Sequence, residues 1–352
     1  MQNPFTPSFG VSPPLLVGRD DVLARFGEAL EDGPGSPGRA TLYTGARGTG
    51  KTVLLNAVED LARSHGWSVI SETASPGFVE RLVNEHLPGL LRVHDPDATT
   101  TELKAVSAPV VGGGATWGKT QNHVGAPGLR GQLTFLCDLL AAQGVGLLVT
   151  LDEIHQKQRG ELRQLATTVQ HLFREGREIA FVGAGLPSAV SGLLSDEVLT
   201  FLRRADRYQL GRVSLADVSE AITTPIVDAG RSISAELSQR AAESTAGYPF
   251  LIQLVGYHLW RLHPAASEVS ADDVDVGILA AQRRLGSLVV EPSLADLSNV
   301  DRTFLLAMAQ DDGPSRMTDI ASRLNCDANY ASQYRLRLIA AELIETAGHG
   351  AI

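Results

Sequence analysis

Lysine is scarce in this chain: 352 residues contain only Lys51, Lys104, Lys119 and Lys157. Cysteine is scarcer. Cys137 and Cys326 lie far apart in sequence, so they form neither a metal-ligand pattern nor a disulfide framework, and both read as reduced thiols of a cytoplasmic protein. No apolar run reaches the roughly 18 residues that a membrane span needs. The opening residues, Met-Gln-Asn-Pro-Phe-Thr-Pro, lack the basic and apolar regions of a secretory signal. No internal repeat is visible. Positive charge is short as well: 30 Lys and Arg face 40 Asp and Glu, a formal net charge of −10. That argues against a surface that coats DNA generally, although a small DNA-reading module with local positive charge is compatible with it. The chain does have the composition of a folded globular protein, 43% hydrophobic and 20% charged. Its length suits two or three domains.

One of the four lysines sits in the most informative segment. Gly45-Ala46-Arg47-Gly48-Thr49-Gly50-Lys51-Thr52 fits the P-loop pattern of glycine, four residues, then glycine-lysine-threonine. Ala40–Thr44 before it suits a buried strand. Val53 to Ala62 after it carries apolar residues at helical spacing, so the loop has the strand-to-helix context the motif requires. Gly45, Gly48 and Gly50 allow backbone conformations that a side chain would block. Backbone N–H groups can then turn inward around phosphate oxygens, and the helix starting near Lys51 aims its free N–H groups at the same anion. The motif assigns Lys51 to the β- and γ-phosphates of a nucleotide and the Thr52 hydroxyl to Mg²⁺.

A second acidic feature completes this reading. Gly146 to Leu151 is almost wholly apolar, as expected of a parallel strand buried on both faces. Asp152 and Glu153 end it. Asp152 is expected to hold Mg²⁺ directly or through water, and Glu153 to polarise the attacking water as general base. His155 reads as a surface residue.

Along the chain, the spacing predicts a helix over Asp20–Leu30 with Asp20 as N-cap. It predicts strands over 67–72, 179–182 and 207–210, and helices over 78–93, 129–143 and 162–175. Strands alternating with helices indicate a parallel α/β sheet. The 95–130 segment is rich in Gly, Thr and Val, and Ala105 to Trp117 reads as a hairpin around three glycines. From Ser214 the pattern is helical: 215–229, 234–244, 249–262 and 271–285, with 289–294 as a linker. Near the end, 300–309, 317–324 and 328–341 read as short helices. The tight Asn325-Cys326-Asp327 connector makes the last two a helix-turn-helix. Residues 343–352 read as the start of a wing, stopping where its second strand is expected.

With both nucleotide motifs placed, the chain resembles the AAA+ and STAND P-loop ATPases over roughly residues 14 to 265, followed by a winged-helix tail. It looks most like their archaeal-ATPase or initiator-like branch. Val17-Gly18-Arg19 resembles the segment that lies against adenine in the AAA+ group. Gly247-Tyr248-Pro249 is similar to the Gly-x-Pro of the STAND lid, where the proline, here Pro249, lies near the nucleotide. The resemblance implies an α/β P-loop core over 1–213, an all-helical lid over 214–288 and a winged-helix domain over 289–352. It also implies binding of ATP and ADP with Mg²⁺, with the loop residues Ala46, Arg47, Thr49 and Val53 among the nucleotide contacts. An arginine finger in related proteins precedes the last core strand and reaches a neighbour's γ-phosphate. Arg203 and Arg204 sit in about that place, and a surface pair bound to Asp206 or solvent is the competing reading. Two departures matter: the 182–188 segment offers no clear polar first sensor, and no lid sensor arginine can be placed. Slow hydrolysis suits a switch better than a motor.

In the tail, the second helix of the helix-turn-helix would enter the major groove, presenting Asn329, Gln333, Arg335 and Arg337 together with Tyr330 and Ser332. From residue 300 onward, however, five arginines face seven acids, which is poor for phosphate binding. Three function classes follow. The leading one is an ATP-binding, slowly hydrolysing conformational switch, working with itself or another protein in an oligomer. The second is a DNA-binding regulator or initiator whose nucleotide only sets conformation. The third is a non-hydrolysing, nucleotide-bound scaffold.

Overall fold

Short runs of apolar and β-branched residues form a five-stranded sheet: β1 (Ala40–Thr44), β2 (Ser68–Thr73), β3 (Leu147–Ile154), β4 (Ile179–Gly185) and β5 (Asp206–Gln209). The order is β2-β3-β4-β1-β5, and every neighbouring pair is parallel. The structure is a computed structural model that describes residues 2–8, 10–95, 128–194, 200–295, 297–340, 343–344, 346–348 and 351–352. The expected hairpin over 105–117 lies outside them. Contacts divide the chain into two compact units. One holds residues 19–45 and 51–210; the other holds residues 1–18, 46–50 and 211–352. The expected core of 1–213 is therefore split: its N-terminal arm and the apex of its P-loop cluster with the helical half of the chain.

In the first unit the sheet is covered by helices, as its apolar strands demand. These are α1 (Asp20–Glu31), α2 (Lys51–Ser64), α3 (Phe78–Arg81), α4 (Leu87–His94), α5 (Leu129–Ala142), α6 (Arg159–Arg174) and α7 (Pro187–Leu194). A π-helical turn, Leu82–His86, joins α3 to α4. Leu147, Val149, Leu151, Ile179 and Phe181 are buried in one core with Leu133, Leu136 and Leu165. Each such side chain removed from water contributes about 1.5–3 kcal/mol. Asp20 is the first residue of α1 rather than its cap. Arg19 holds the cap position, and the Asp20 and Asp21 carboxylates sit in the first turn, where the helix dipole favours them. Buried Arg39 closes the other end of α1. It donates to the Ala29 and Leu30 carbonyls at 2.8 and 2.9 Å and to Glu178 at 2.5 Å. α7 was not anticipated; its segment reads as loop because Gly183, Gly185 and Pro187 interrupt the pattern.

In the second unit follow α8 (Leu215–Asp228), α9 (Ala235–Thr245), α10 (Pro249–Leu262), α11 (Ala271–Leu285), α12 (Glu291–Ala295), α13 (Asn299–Met308), α14 (Met317–Arg323) and α15 (Ala328–Ala340). Ser214, Ser234 and Ser270 cap α8, α9 and α11 through their hydroxyls, each satisfying a backbone N–H left free by helix geometry. Their core includes Val218, Ile222, Leu254, Leu259 and Trp260, and also Phe5 from the N-terminal arm. Asn3 donates to the Tyr257 carbonyl at 3.0 Å beside it. The expected linker over 289–294 is helical instead: a π turn, Gly286–Val290, runs into α12. The last helices have their own core around Phe304, Ile320, Ala331 and Leu338. There α14 and α15 flank a turn in which Asn325 is left-handed at φ 50°, and Arg316 bridges antiparallel to Ala351.

Candidate nucleotide site

In a parallel sheet the carboxyl ends of all strands share one edge, where ligands of such folds bind. β1 delivers Gly45 there, and α2 begins six residues later at Lys51. Gly48 and Gly50 have φ of 76° and 88°, a region that residues with a Cβ rarely adopt. Gly45 is absent from the left-handed set, so its place in the motif does not rest on that freedom. Thr49 is buried; its N–H and hydroxyl both donate to the Ala46 carbonyl, at 3.3 and 2.8 Å, closing the turn. Arg47 is exposed at the loop's apex. The Lys51 ammonium reaches back to the Gly45 carbonyl at 2.6 Å. Val53 follows in the first turn of α2, half-buried.

The Thr52 hydroxyl donates to Asp152 Oδ2 at 2.6 Å, bringing the two expected metal ligands together. The strand carrying Asp152 does not stop there. β3 runs on to Ile154, and its register with β4 shifts between Leu151 and Ile154. At this irregularity Glu153 is left-handed, φ 53°, and its N–H bonds to Asp152 Oδ1 at 2.7 Å. A non-glycine residue held in that region costs about 1–3 kcal/mol and is concentrated at functional sites. The distortion leaves Glu153 exposed and Asp152 half-buried. It thus separates a carboxylate free to meet water from one turned to Thr52.

Sequence reasoning missed what holds this geometry. Thr150, the polar residue in the apolar run of β3, donates to buried Glu59 of α2 at 2.5 Å, and Arg63 pairs with the same carboxylate at 3.0 Å. This ties the helix bearing Thr52 to the strand bearing Asp152. The signal was legible: a hydroxyl inside a buried strand and a glutamate on the apolar face of α2. β4 lies between β1 and β3 and ends in Gly185. A Cβ there would stand 2.9 Å from the Ile154 carbonyl, so the strand end where a sensor side chain is expected has no room for one.

The remaining expected residues fall as follows. Val17 packs against the helical core, and Gly18 lies beside Val213 and Asp217. Burial lowers the pKa of the Arg19 guanidinium from its ordinary value. Pro249 opens α10 directly after Tyr248. Arg203 and Arg204 end a short 3-10 turn just before β5. Arg203 donates to the Leu194 carbonyl at 2.7 Å. Arg204 lines a cavity with Ser36 and Ala40, at the amino end of β1, the sheet edge opposite the P-loop. Neither is brought to this chain's own Lys51. In the tail, Asn329 and Gln333 are exposed on α15 and Arg335 is half-buried. Arg337 is engaged internally, with the Ser298 hydroxyl at 2.9 Å and with buried Asp301.

The donor set fits a magnesium nucleotide. Left-handed glycines, a helix amino end, one lysine and a hydroxyl–carboxylate pair are the groups a phosphate chain and its cation need. Among the described residues, no helix is long and apolar enough to cross a membrane.

Comparison with known proteins agrees with this geometry. Residues 15–182 match the AAA ATPase domain, and residues 288–352 match a domain of unknown function, DUF8462. No curated protein matches the sequence. The fold is similar to that of a Walker-type ATPase of Pyrococcus abyssi, with a TM-score of 0.65 at 15% identity over 96% of this chain and 92% of that one. It is also similar to the ORC2 protein of Aeropyrum pernix, solved in ADPNP and ADP complexes. There the TM-score is 0.58 at 14% identity, over 96% of this chain and 90% of that one. The match to the AAA ATPase domain over residues 15–182 thus falls on the stretch that holds the glycine loop and the Asp152 strand end, and the similar structures share the fold.

Proposed function

We propose that this protein is an ATP-binding conformational switch of the AAA+/STAND kind that hydrolyses ATP slowly. The observation that carries the reading is the Thr52–Asp152 hydrogen bond at the mouth of a glycine loop followed by Lys51. Lys51 would leave the Gly45 carbonyl for the β- and γ-phosphates, exchanging a neutral partner for a charged one. Thr52 and Asp152 would hold the magnesium ion. When bound, that ion supplies neutralisation of charge developing on the phosphate oxygens. Glu153 would orient a water and take its proton as the water oxygen bonds to the γ-phosphorus. The bond from that phosphorus to the bridging oxygen then breaks, giving ADP and phosphate. Val17, Gly18 and Arg19 would flank the base, with Pro249 near the nucleotide.

Slow turnover follows from Gly185, which leaves the strand end beside Asp152 without a polar side chain. Arg203 and Arg204, on the far sheet edge, suit a role only on a neighbouring copy, where a trans arginine contributes about 10³–10⁵ in rate in other systems. Self-association is thus part of the reading, as is a cytoplasmic location.

A second reading, association with duplex DNA, is favoured by one observation: α14, a tight turn and α15 form a helix-turn-helix with Asn329 and Gln333 exposed, and the Arg316–Ala351 bridge suits a winged helix. One experiment tests both readings. ATP turnover is measured with and without duplex DNA at two salt concentrations, alongside mass in solution. Turnover that needs Lys51 supports the first reading; no nucleotide uptake rejects it. Salt-insensitive or absent DNA binding rejects the second.

A further inference from the structure

The P-loop apex carries a contact that its motif does not require. The Tyr248 hydroxyl donates to the Arg47 carbonyl at 2.8 Å. The Phe250 N–H donates to the next carbonyl, that of Gly48, at 3.3 Å. The phenol lies so close to Gly48 that a methyl group there would overlap its hydroxyl. Ala46–Gly50 belongs to the same compact unit as residues 211–352.

The segment delivering the phenol is fixed on its own side. Gly247 accepts from the Val213 N–H at 2.8 Å, and the Tyr248 N–H donates to Thr245 at 2.9 Å. Pro249 then starts α10, and the Tyr248 ring packs against the helical core. The phenol is therefore held in place rather than free to rotate in solvent.

The consequence comes from peptide geometry. No peptide bond here is cis, and a trans peptide points its C=O and N–H in opposite directions. Holding the Arg47 carbonyl on Tyr248 thus turns the Gly48 N–H away from the phenol. The following peptide is pinned at both ends, its carbonyl on Phe250 and its Thr49 N–H on the Ala46 carbonyl. An anion nest works only while its N–H groups converge, and loop peptides flip readily unless something holds them.

We infer that Tyr248 is a positioning residue for nucleotide binding: its hydroxyl fixes the Arg47–Gly48 peptide so that the Gly48 N–H is presented to a phosphate chain. This rests on the ATP-binding reading above and adds to it the group through which the helical region acts on the loop. Pro249 fixes where α10 starts; Tyr248 carries the contact.

The test is Tyr248→Phe, which keeps the ring in its core and removes one donor. ADP and ATP binding are measured by calorimetry beside wild type and Lys51→Ala, together with melting temperature in the absence and presence of nucleotide. The expected result is a nucleotide-free melting temperature lowered by no more than a few degrees, a Kd raised roughly fivefold, the worth of about one hydrogen bond, and a smaller nucleotide-induced rise in melting temperature. A Kd equal to or tighter than wild type overturns the inference. So does a lowered nucleotide-free melting temperature with unchanged Kd, since that is a packing role. Wild-type protein that takes up no nucleotide overturns the ATP-binding reading itself, and this outcome is distinct because it appears before any variant is compared.

Discussion

The Thr52 hydroxyl and the Asp152 carboxylate meet at 2.6 Å although one hundred positions separate them in the chain. Each sits where an element changes character: Thr52 in the first turn of α2, Asp152 at the irregularity of β3. The pair is preformed because Thr150 and Glu59 tie the same helix to the same strand about two turns deeper. A cation arriving with its nucleotide would exchange one hydrogen bond for two ligands without moving either backbone.

Lys51→Ala should weaken ADP and ATP uptake by about two orders of magnitude, because a charge-assisted contact of about 2–3 kcal/mol disappears. In this structure the ammonium donates to the Gly45 carbonyl of its own loop at 2.6 Å, a contact that a bound phosphate chain would replace. Calorimetry of both proteins decides it. Equal affinities would remove the P-loop from the binding site.

Glu153→Gln should keep nucleotide affinity within about threefold of wild type while lowering turnover by about 10²–10⁴, the range typical of a lost general base. The measurement is single-turnover phosphate release beside equilibrium binding. Unchanged release would mean that the exposed carboxylate, and the backbone strain that presents it, serve something else.

Asp301→Ala should destabilise the C-terminal helices by about 1–3 kcal/mol. Its carboxylate is buried, accepts the Ser298 N–H and hydroxyl at 3.1 and 2.7 Å in a capping box, and pairs with Arg337. Arg337→Ala should lower stability in the same direction, because it leaves the buried carboxylate without its charged partner. Urea denaturation of the full chain checks both. A shift below about 0.5 kcal/mol for Asp301→Ala would contradict the cap.

Acid should loosen the same region through Asp311. The Arg323 guanidinium, at 2.5 and 2.7 Å, and the Ser315 hydroxyl, at 2.7 Å, hold its carboxyl down at a pKa of about 2 against an ordinary 3.8. A folded-state pKa below the unfolded one gives stability that is complete above the unfolded value and is lost as pH falls toward the folded one. The melting-temperature gap between wild type and Asp311→Asn should therefore be constant above about pH 5 and shrink between about pH 4 and pH 2. A gap independent of pH across that window would mean the carboxylate's charge plays no part.

The sequence was most legible where one local rule decides the outcome. Ala40–Thr44 reads as a strand because a glycine loop must follow a buried run. Pro249 and Leu262 bound their helix as expected, since proline suits the first helical position. It was least legible where distant groups decide. β3 continues past Asp152 because β4 accepts Ile154, which no local pattern around two acidic residues shows. Residues 289–294 turn helical although they contain Val289, Val290 and Pro292, which are weak helix formers by themselves. Tyr248 occupied a motif's variable position, so only the folded chain shows what its hydroxyl meets. The bond of Arg337 to Asp301, thirty-six residues upstream, is likewise a distant contact that no local pattern shows.

Gly183 and Gly185 form a floor beneath Ile154, whose side chain and carbonyl rest on them. A methyl group added at Gly185 would press on that carbonyl, and the pressure would pass along one peptide to Glu153. Genetic screens of this protein should thus recover silent-looking alanine changes that touch neither phosphate nor water yet abolish hydrolysis, by tilting the carboxylate from below.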